Sequence, residues 1–353
     1  MIKEGIQKLV TGINLTYDES REIMKEIMSG NATQAQIGAF ITALRMKGET
    51  IDEISALASV MKEFCQRIHP KVNGRLVDTC GTGGDLIKTF NVSTTAAFVV
   101  AGAGVAVAKH GNRSVTSKSG SADVLEKLGL NLNLEPKAVE KTIEEVGIGF
   151  MFAPAFHPAM KYAIEPRREI GIRTVFNVLG PLTNPANADA QLLGVYEKAW
   201  LEPIAHVLKN LGCEEAMVVH GLDGLDEIST IGGTAIAWLK GGEVSLIEVT
   251  PQDFGIRQSR PEDILGTTPE QSAEITYQIL NECGDNENPK RDIVLVNAAA
   301  GIMVGGKAED FRHGVELAKE SIDSGAAYKK LKALVKASGG NASRLEEMER
   351  KYG

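Results

Sequence analysis

The sequence predicts an α/β protein with a helical N-terminal domain and a larger domain whose central, mostly parallel sheet is flanked by helices. Three observations carry this prediction. Up to about residue 72 the chain shows helix starts and apolar stripes, with no strand pattern. From about residue 75 short apolar runs alternate with helical stretches, as in strand–helix–strand units with right-handed crossovers. A chain of 353 residues that is 43% hydrophobic can also bury the cores of two domains. The expected division is 1–72 for the helical domain, joined by helices from about 160–185, and 73–353 for the α/β domain.

The elements follow in order. Thr16-x-x-Glu19, Thr33-x-x-Gln36 and Thr50-x-x-Glu53 each match the reciprocal capping box, in which hydroxyl and acid or amide satisfy orphan amides at a helix start. After Thr16, Ile23, Met24, Ile27 and Met28 form one stripe, with Gly30 as a stop. After Thr33, Ile37, Phe40, Ile41 and Leu44 do the same, ending at Gly48. "RLVDTC" and "VAVAK" read as strands, with the helical "STTAAFVVAGAG" between them and "SADVLEKLG" after them. "IGFMF", "AQLLGVY" and "EAMVVHG" read as further buried strands, and "AIAWLKGGEVSLIEVT" as an antiparallel hairpin about Gly-Gly. The tail from about residue 268 returns to helical patterns.

Composition excludes several classes of function. A formal net charge of -8 argues against a nucleic-acid partner. No apolar run approaches the roughly eighteen residues of a membrane span. The opening "MIKEGIQKLVTGINLTYDES" is too polar for a secretory leader. Cys65, Cys80, Cys213 and Cys283 have no metal-ligand spacing and read as buried thiols in a reducing compartment, so a cytoplasmic protein is expected.

Two loops carry the chemistry. "GTGGD" follows a strand and "NVSTTAAFVVAGAG" opens a helix just beyond it. Glycines admit a ligand close to the backbone, and free amides at a helix start attract anions. Asn91, Ser93 or Thr94 is placed to cap that helix. The stretch lacks the GK[ST] of a Walker loop and the GxGxxG of a dinucleotide fold. Alone it is also compatible with an ordinary turn. The second loop, "KHGNRSVTSKSGS", repeats the arrangement with Lys109, Arg113 and Lys118 among hydroxyls. Between residues 79 and 121 four lysines or arginines face one acid, Asp85, an island of positive charge in an acidic chain. Two such loops suit a ligand with two separated phosphate groups, such as a sugar bearing a diphosphate and a monophosphate. Clustered phosphates bring Mg²⁺, for which Asp226 and Glu227 in "VVHGLDGLDEIST" are the expected carboxylates, with Asp223 weaker and Ser93 as a neutral donor. In "HPAMKYAIEPRREIGIRTVFNVLGPLTNP", an arginine beside apolar side chains is suited to a small aromatic carboxylate.

Together, "GTGGD", "KTFNVST", "KHGNRSVTSKSGSADVLEKLG", "HPAMK", "PRREIGIRTVFNVLGPLTNP" and "GLDEIS" resemble the anthranilate phosphoribosyltransferase family, as does the helical opening from Leu15 to Thr50. The resemblance runs from near residue 10 to about 330; Leu86 departs from it, standing where many relatives have glycine. It implies a nucleoside phosphorylase/phosphoribosyltransferase-like architecture and transfer of a phosphoribosyl group from 5-phosphoribosyl 1-diphosphate to anthranilate. Carried over by motif, Gly81, Gly84, Asp85, Thr89, Asn91, Val92, Ser93, Thr94, Lys109, His110, Gly111, Asn112, Arg113, Ser114, Val115, Thr116, Ser117 and Ser121 would hold the donor. Ser93, Asp226 and Glu227 would bind Mg²⁺. Gly81, Asn112 and Arg167 would contact anthranilate, with His110, His157 and Pro181 lining its approach. Lys109, Asn112 and Arg167 are the expected catalytic residues, Lys109 stabilising the leaving group and the other two orienting the acceptor. No general base stands out; His110 and His157 are the candidates. Arg168 should point away from Arg167, since helix neighbours diverge by about 100°. The resemblance also implies a homodimer through the N-terminal helices, with their apolar faces as the expected site. A pyrimidine nucleoside phosphorylase and a non-catalytic nucleic-acid-binding relative are the alternatives.

Overall fold

The computed structural model describes residues 1–84, 87–114, 119–266, 268–281 and 287–352. Asp85, Leu86, Val115, Thr116, Ser117, Lys118 and Cys283, singled out above, lie outside the described residues.

The chain opens with α1 (Ile2–Val10), α2 (Tyr17–Met28), α3 (Gln34–Lys47) and α4 (Ile51–Glu63). All three capping boxes are formed, at Thr16, Thr33 and Thr50. Glu53 does more than cap. Its Oε2 accepts from the Thr50 amide at 2.8 Å and from Lys47 Nζ at 2.8 Å, and its Oε1 from the Leu15 amide at 2.9 Å. Both members of the Lys47–Glu53 pair are buried, and the hydrogen bonds around them offset the cost of removing two charges from water.

The strands and helices then alternate. β1 (Leu76–Gly81), α5 (Val92–Gly102), β2 (Ala106–Gly111), α6 (Ser121–Lys127), α7 (Pro136–Val146) and β3 (Ile148–Phe152) form the first half of the sheet. α8 (Ala153–Phe156), α9 (Lys161–Ile170) and α10 (Phe176–Leu179) lead to β4 (Ala190–Gly194), α11 (Leu201–Asn210) and β5 (Glu215–Gly221). The hairpin β6 (Thr234–Lys240) and β7 (Glu243–Val249) follows, then α12 (Pro269–Leu280), α13 (Pro289–Val304), α14 (Phe311–Asp323), α15 (Ala326–Ala337) and α16 (Ser343–Tyr352).

Among the described residues these strands make one seven-stranded sheet in the order β3-β2-β1-β4-β5-β6-β7. β1 to β5 are parallel, in register such as Val77 opposite Val107 and Ala190, while β6 and β7 add antiparallel pairs. Period-two alternation sends neighbouring strand residues into different cores. Leu192, Met217 and Val219 pack with α5, α12, α13 and α15, whereas Leu193, Ala216 and Val218 pack with the N-terminal helices, α9 and α11. Both faces of the parallel part are thus covered, as such sheets require.

Two expectations need correction. The apolar stripes of α2 and α3 are not a free face for a second copy: Ile23, Met24, Ile27, Ile37, Phe40, Ile41 and Leu44 are all buried inside this chain. Of the thiols, Cys80 is buried but Cys65 and Cys213 are only half-buried, lying near the surface that joins α4 to α11. Among the described residues, no helix is long and apolar enough to cross a membrane.

Candidate active site

The parallel strands present their C-terminal ends to one edge, where ligands of open α/β sheets sit. β1, β2, β4 and β5 each end in glycine: Gly81, Gly111, Gly194 and Gly221. Close approach explains the first and third. The loop after β5 folds back over them, so that a Cβ on Gly81 would lie 2.7 Å from Asp226 Oδ2, and one on Gly194 only 1.5 Å from the Asp226 carbonyl oxygen. The acidic loop is therefore held against the glycine-rich turn.

A cavity of about 350 Å³ opens there. Its wall includes Gly81, Thr89, Asn91, Val92, Ser93 and Thr94 from the first loop and helix. Lys109, His110, Gly111, Asn112, Arg113, Ser114 and Ser121 come from the second, and Arg167, Asp226 and Glu227 also line the cavity. Of the expected residues within the described set, Gly84, His157, Pro181 and the weaker candidate Asp223 do not line it; Asp223 accepts from Ser229 Oγ and the Leu225 amide instead.

The first loop holds the two acids through its backbone amides. Asn91 stands at the N-cap of α5 but does not cap it; its side chain instead donates to the Ser119 carbonyl at 3.2 Å and accepts from Ser119 Oγ at 2.9 Å, joining the two loops. The Ser93 amide donates to Glu227 Oε1 at 3.3 Å, and the Gly83 amide to Asp226 Oδ2 at 2.7 Å. The Glu227 carboxylate is favoured there because unsatisfied amides at a helix start carry partial positive charge. Thr94 Oγ1 is buried without a hydrogen-bond partner, a polar atom prepared for one.

The second loop is less positive than its composition suggested. Arg113 Nη1 donates to Asp123 Oδ1 at 3.0 Å, and Nη2 to Glu126 Oε1 at 2.8 Å, while the guanidinium lies 5.7 Å from the Phe152 ring. Lys109 is buried and donates to the Thr79 carbonyl. Burial pulls its pKa below the usual lysine range, and the negative charge of Asp78 works against that fall. Asp78, Asp123 and Glu126 all fall just outside the 79–121 window, so the local excess of positive charge is partly neutralised. Asp123 also organises the loop, its Oδ2 accepting from the Ser114 and Gly120 amides, each at 3.0 Å.

On α9 the two arginines diverge as expected. Arg167 lines the cavity with its guanidinium 5.0 Å from the Phe176 ring centroid, and burial lowers its pKa. Arg168 is exposed and donates to Glu165 Oε1 at 2.5 Å. His110 and His157 form a ring pair, centroids 4.9 Å apart, with His157 behind His110. Burial pushes His157 down to about 4 and His110 well below the ordinary imidazole value; both Nε2 atoms are unpartnered. Pro181 faces another small cavity beside Lys62 and Gln191.

The wall also contains Lys88, Phe90, Ser119, Gly120, Phe176, Asn177 and Gly266, which sequence reasoning did not select. All but Gly266 lie inside or beside the quoted motifs and could have been included on that ground. Gly266 had no local signal, since a lone bridge between Thr89 and Leu265 brings its segment to the site.

The donor set fits a hard divalent cation: two nearly buried carboxylates and a serine hydroxyl on one cavity wall. No group of three or more His, Cys, Asp or Glu gathers among the described residues. A bound ion here would therefore complete its shell with ligand and water oxygens.

Comparison with known proteins decides the family. Residues 3–65 match the glycosyl transferase family helical bundle domain, and residues 73–328 its a/b domain. The anthranilate phosphoribosyltransferase of Acetivibrio thermocellus is 53% identical over 335 residues, covering 95% of this chain and 96% of that one. That of Methanocorpusculum labreanum is 54% identical over 340 residues, covering 96% and 99%.

The chain belongs to the anthranilate phosphoribosyltransferase family.

Solved structures agree on the fold. The Thermus thermophilus anthranilate phosphoribosyltransferase superposes with a TM-score of 0.89 at 39% identity, covering 95% of this chain and 99% of that one. The Saccharomyces cerevisiae family member in complex with PRPP and Mg has a TM-score of 0.87 at 27% identity, covering 96% and 98%. Neither alternative, the nucleoside phosphorylase or the nucleic-acid-binding relative, is favoured by these likenesses.

Proposed function

We infer that this cavity binds 5-phosphoribosyl 1-diphosphate along its two loops and anthranilate against Arg167, and that the chain joins them into N-(5-phosphoribosyl)anthranilate and diphosphate, a step of tryptophan biosynthesis. The observation that carries the reading is the meeting, in one cavity, of the α5 N-terminus, the Asp226–Glu227 pair and an arginine stacked on Phe176.

In this reading the amine nitrogen of anthranilate bonds to C1 of the ribose as the C1–oxygen bond to diphosphate breaks, and the amine then loses a proton. Arg167 pairs with the acceptor carboxylate while Phe176 fixes the guanidinium plane, and Asn112 sits across the cavity to orient the amine. Orientation matters most because the aromatic amine is a modest nucleophile. Lys109 and the α5 amides bring positive potential to the leaving group. Gly81, Gly84, Thr89, Asn91, Val92, Ser93, Thr94, His110, Gly111, Arg113, Ser114 and Ser121 complete the donor side. Ser93, Asp226 and Glu227 would hold Mg²⁺, whose chemistry when bound is to neutralise charge on the diphosphate oxygens. Burial holds His110 and His157 below the ordinary imidazole range, so both are neutral at pH 7; in this reading the ring pair shapes the approach and the amine's proton leaves to solvent once the bond to C1 has formed. Pro181 contributes only from behind the wall.

The division near residue 72, with α9 and α10 joining the helical part, belongs to the same reading; packing of α9 on α3 supports it. So do a cytoplasmic location and a homodimer through the N-terminal helices. With their stripes buried, the apolar side chains this region leaves exposed for such a contact are Met1, Val10, Ile13, Tyr17 and Met46. A monomer at micromolar concentration removes the dimer alone.

The test is the loss of anthranilate fluorescence on adding phosphoribosyl diphosphate and Mg²⁺. Mg²⁺-dependent loss is expected. None under any metal condition sinks the reading and turns attention to nucleoside phosphorolysis.

A further inference from the structure

Arg173 stands between the donor and acceptor sides without lining the cavity. Its Nη2 donates to the Gly84 carbonyl at 3.0 Å, and its Cζ lies 4.3 Å from the Tyr196 ring centroid. The guanidinium occupies the space a side chain at residue 84 would need, since a Cβ there would fall 2.2 Å from Nη2. The start of the same turn is held from β4: the Thr82 amide donates to the Gly194 carbonyl at 2.9 Å, and the Tyr196 amide to Thr82 Oγ1 at 3.1 Å. Between these two anchors lies Gly83, whose amide meets Asp226. Among the described residues no carboxylate pairs with Arg173 at ion-pair distance, so its bonds go to the turn and the ring. On the other side, Arg173 opens the segment that carries Phe176 and Asn177 into the cavity wall, and the Thr174 amide donates to Asn177 Oδ1 at 3.0 Å.

We propose that Arg173 is a positioning residue for the donor, a strut from the acceptor segment that fixes the Gly84 carbonyl and so keeps Gly83 seated against Asp226. This rests on the reading of the cavity given above. It makes the donor side depend on a residue that touches neither substrate, because a planar guanidinium can stack on a ring and donate to a carbonyl at once.

The experiment compares wild type with Arg173→Ala and Arg173→Lys, varying phosphoribosyl diphosphate and anthranilate separately in the fluorescence assay. Binding of magnesium diphosphate is measured alongside by calorimetry. Arg173 is exposed, so neither variant should unfold the chain, and unchanged melting curves check this. Loss of one charge-assisted hydrogen bond predicts a roughly tenfold rise in donor KM for Arg173→Ala, with anthranilate KM changed less than about twofold. Arg173→Lys should resemble the alanine variant, since a point charge cannot span ring and carbonyl. A donor KM within about twofold of wild type in Arg173→Ala overturns the proposal. So does full rescue by lysine, which would make the residue a simple charge. If wild type turns over no anthranilate, the reading of the cavity fails separately. The calorimetry then decides for Arg173, a tenfold loss of affinity supporting the strut and equal affinities overturning it.

Discussion

Asp226 is wedged between two strand ends: its carboxylate lies where a Cβ on Gly81 would be 2.7 Å away, and its backbone carbonyl where a Cβ on Gly194 would be 1.5 Å away. The two glycines therefore meet different parts of one residue. At Gly81 the neighbour is a side-chain tip, which can turn; at Gly194 it is backbone, which cannot without moving the loop. Gly81→Ala should cost about 1 kcal/mol of stability and displace the Asp226 carboxylate, raising the Mg²⁺ needed for half-maximal activity. Gly194→Ala should cost roughly 3 kcal/mol or more and remove activity altogether. Thermal melts with a Mg²⁺ titration separate the two, and equal effects at both positions would contradict the geometry.

Glu227 reaches the first turn of α5, where its Oε1 accepts from the Ser93 amide. Glu227→Gln keeps the shape and an acceptor oxygen but removes the charge. The helix-terminus contribution lost is small, about 0.3–1 kcal/mol. The loss to a divalent ion is larger, because one of the two carboxylates that line the cavity among the described residues goes. The Mg²⁺ concentration at half-maximal rate should rise about tenfold or more while the melting temperature barely changes. An unchanged Mg²⁺ requirement would remove Glu227 from the metal site.

The sheet, the N-terminal helices and most of the residues that line the cavity were legible because their signals are local. Thr16, Thr33 and Thr50 announce helices within four residues, and glycine follows the strands wherever the acidic loop crosses them. What stayed hidden was long-range pairing. Nothing near Arg113 says that Glu126 will neutralise it, or near Gly84 that an arginine 89 residues onward will bind its carbonyl. The stripes of α2 and α3 fixed which side is buried, but not whether this chain or a second copy covers it. The Asn91 side chain likewise had a local role available, capping α5, and the structure spends it on Ser119 instead.

The buried histidines set an acid limit on stability. The pKa of His157 falls to about 4 from 6.5 because burial disfavours the imidazolium, and that of His110 is also lowered well below the ordinary value, by burial first and then by His157 beside it. Between pH 6.5 and about 4 the unfolded chain binds a proton at residue 157 that the native chain does not, so stability falls as pH falls across that window. The cost for His157 is roughly 3 kcal/mol once pH has fallen below about 4. Asp78 acts oppositely: burial raises its carboxyl to about 6 from 3.8, so protonation favours the native state as pH falls through that range and returns part of the loss. His157→Gln should melt at a temperature less sensitive to pH between 7 and 4.5 than wild type. An identical pH slope in the two proteins would show that the imidazole ionises freely in the native state.

Arg167 and Arg168 make the sharpest contrast, because they are adjacent, chemically identical and oppositely placed. Arg167 lies over Phe176 on the cavity wall, whereas Arg168 makes a solvent-exposed pair with Glu165. Exposed pairs of this kind contribute about 0–1 kcal/mol, so Arg168→Ala should leave both Michaelis constants within about twofold of wild type. Arg167→Ala should raise the KM for anthranilate by roughly ten- to a hundredfold, the range expected for losing a bidentate carboxylate contact, with the donor KM little changed. Arg167→Lys keeps the charge but neither the fork nor the stack on Phe176, and should recover only a minor part. If the Arg167→Lys variant bound anthranilate as well as wild type does, the acceptor would be held by charge alone and Phe176 would have no part in orienting it. If Arg168→Ala instead carried the loss, the acceptor would approach from outside this cavity.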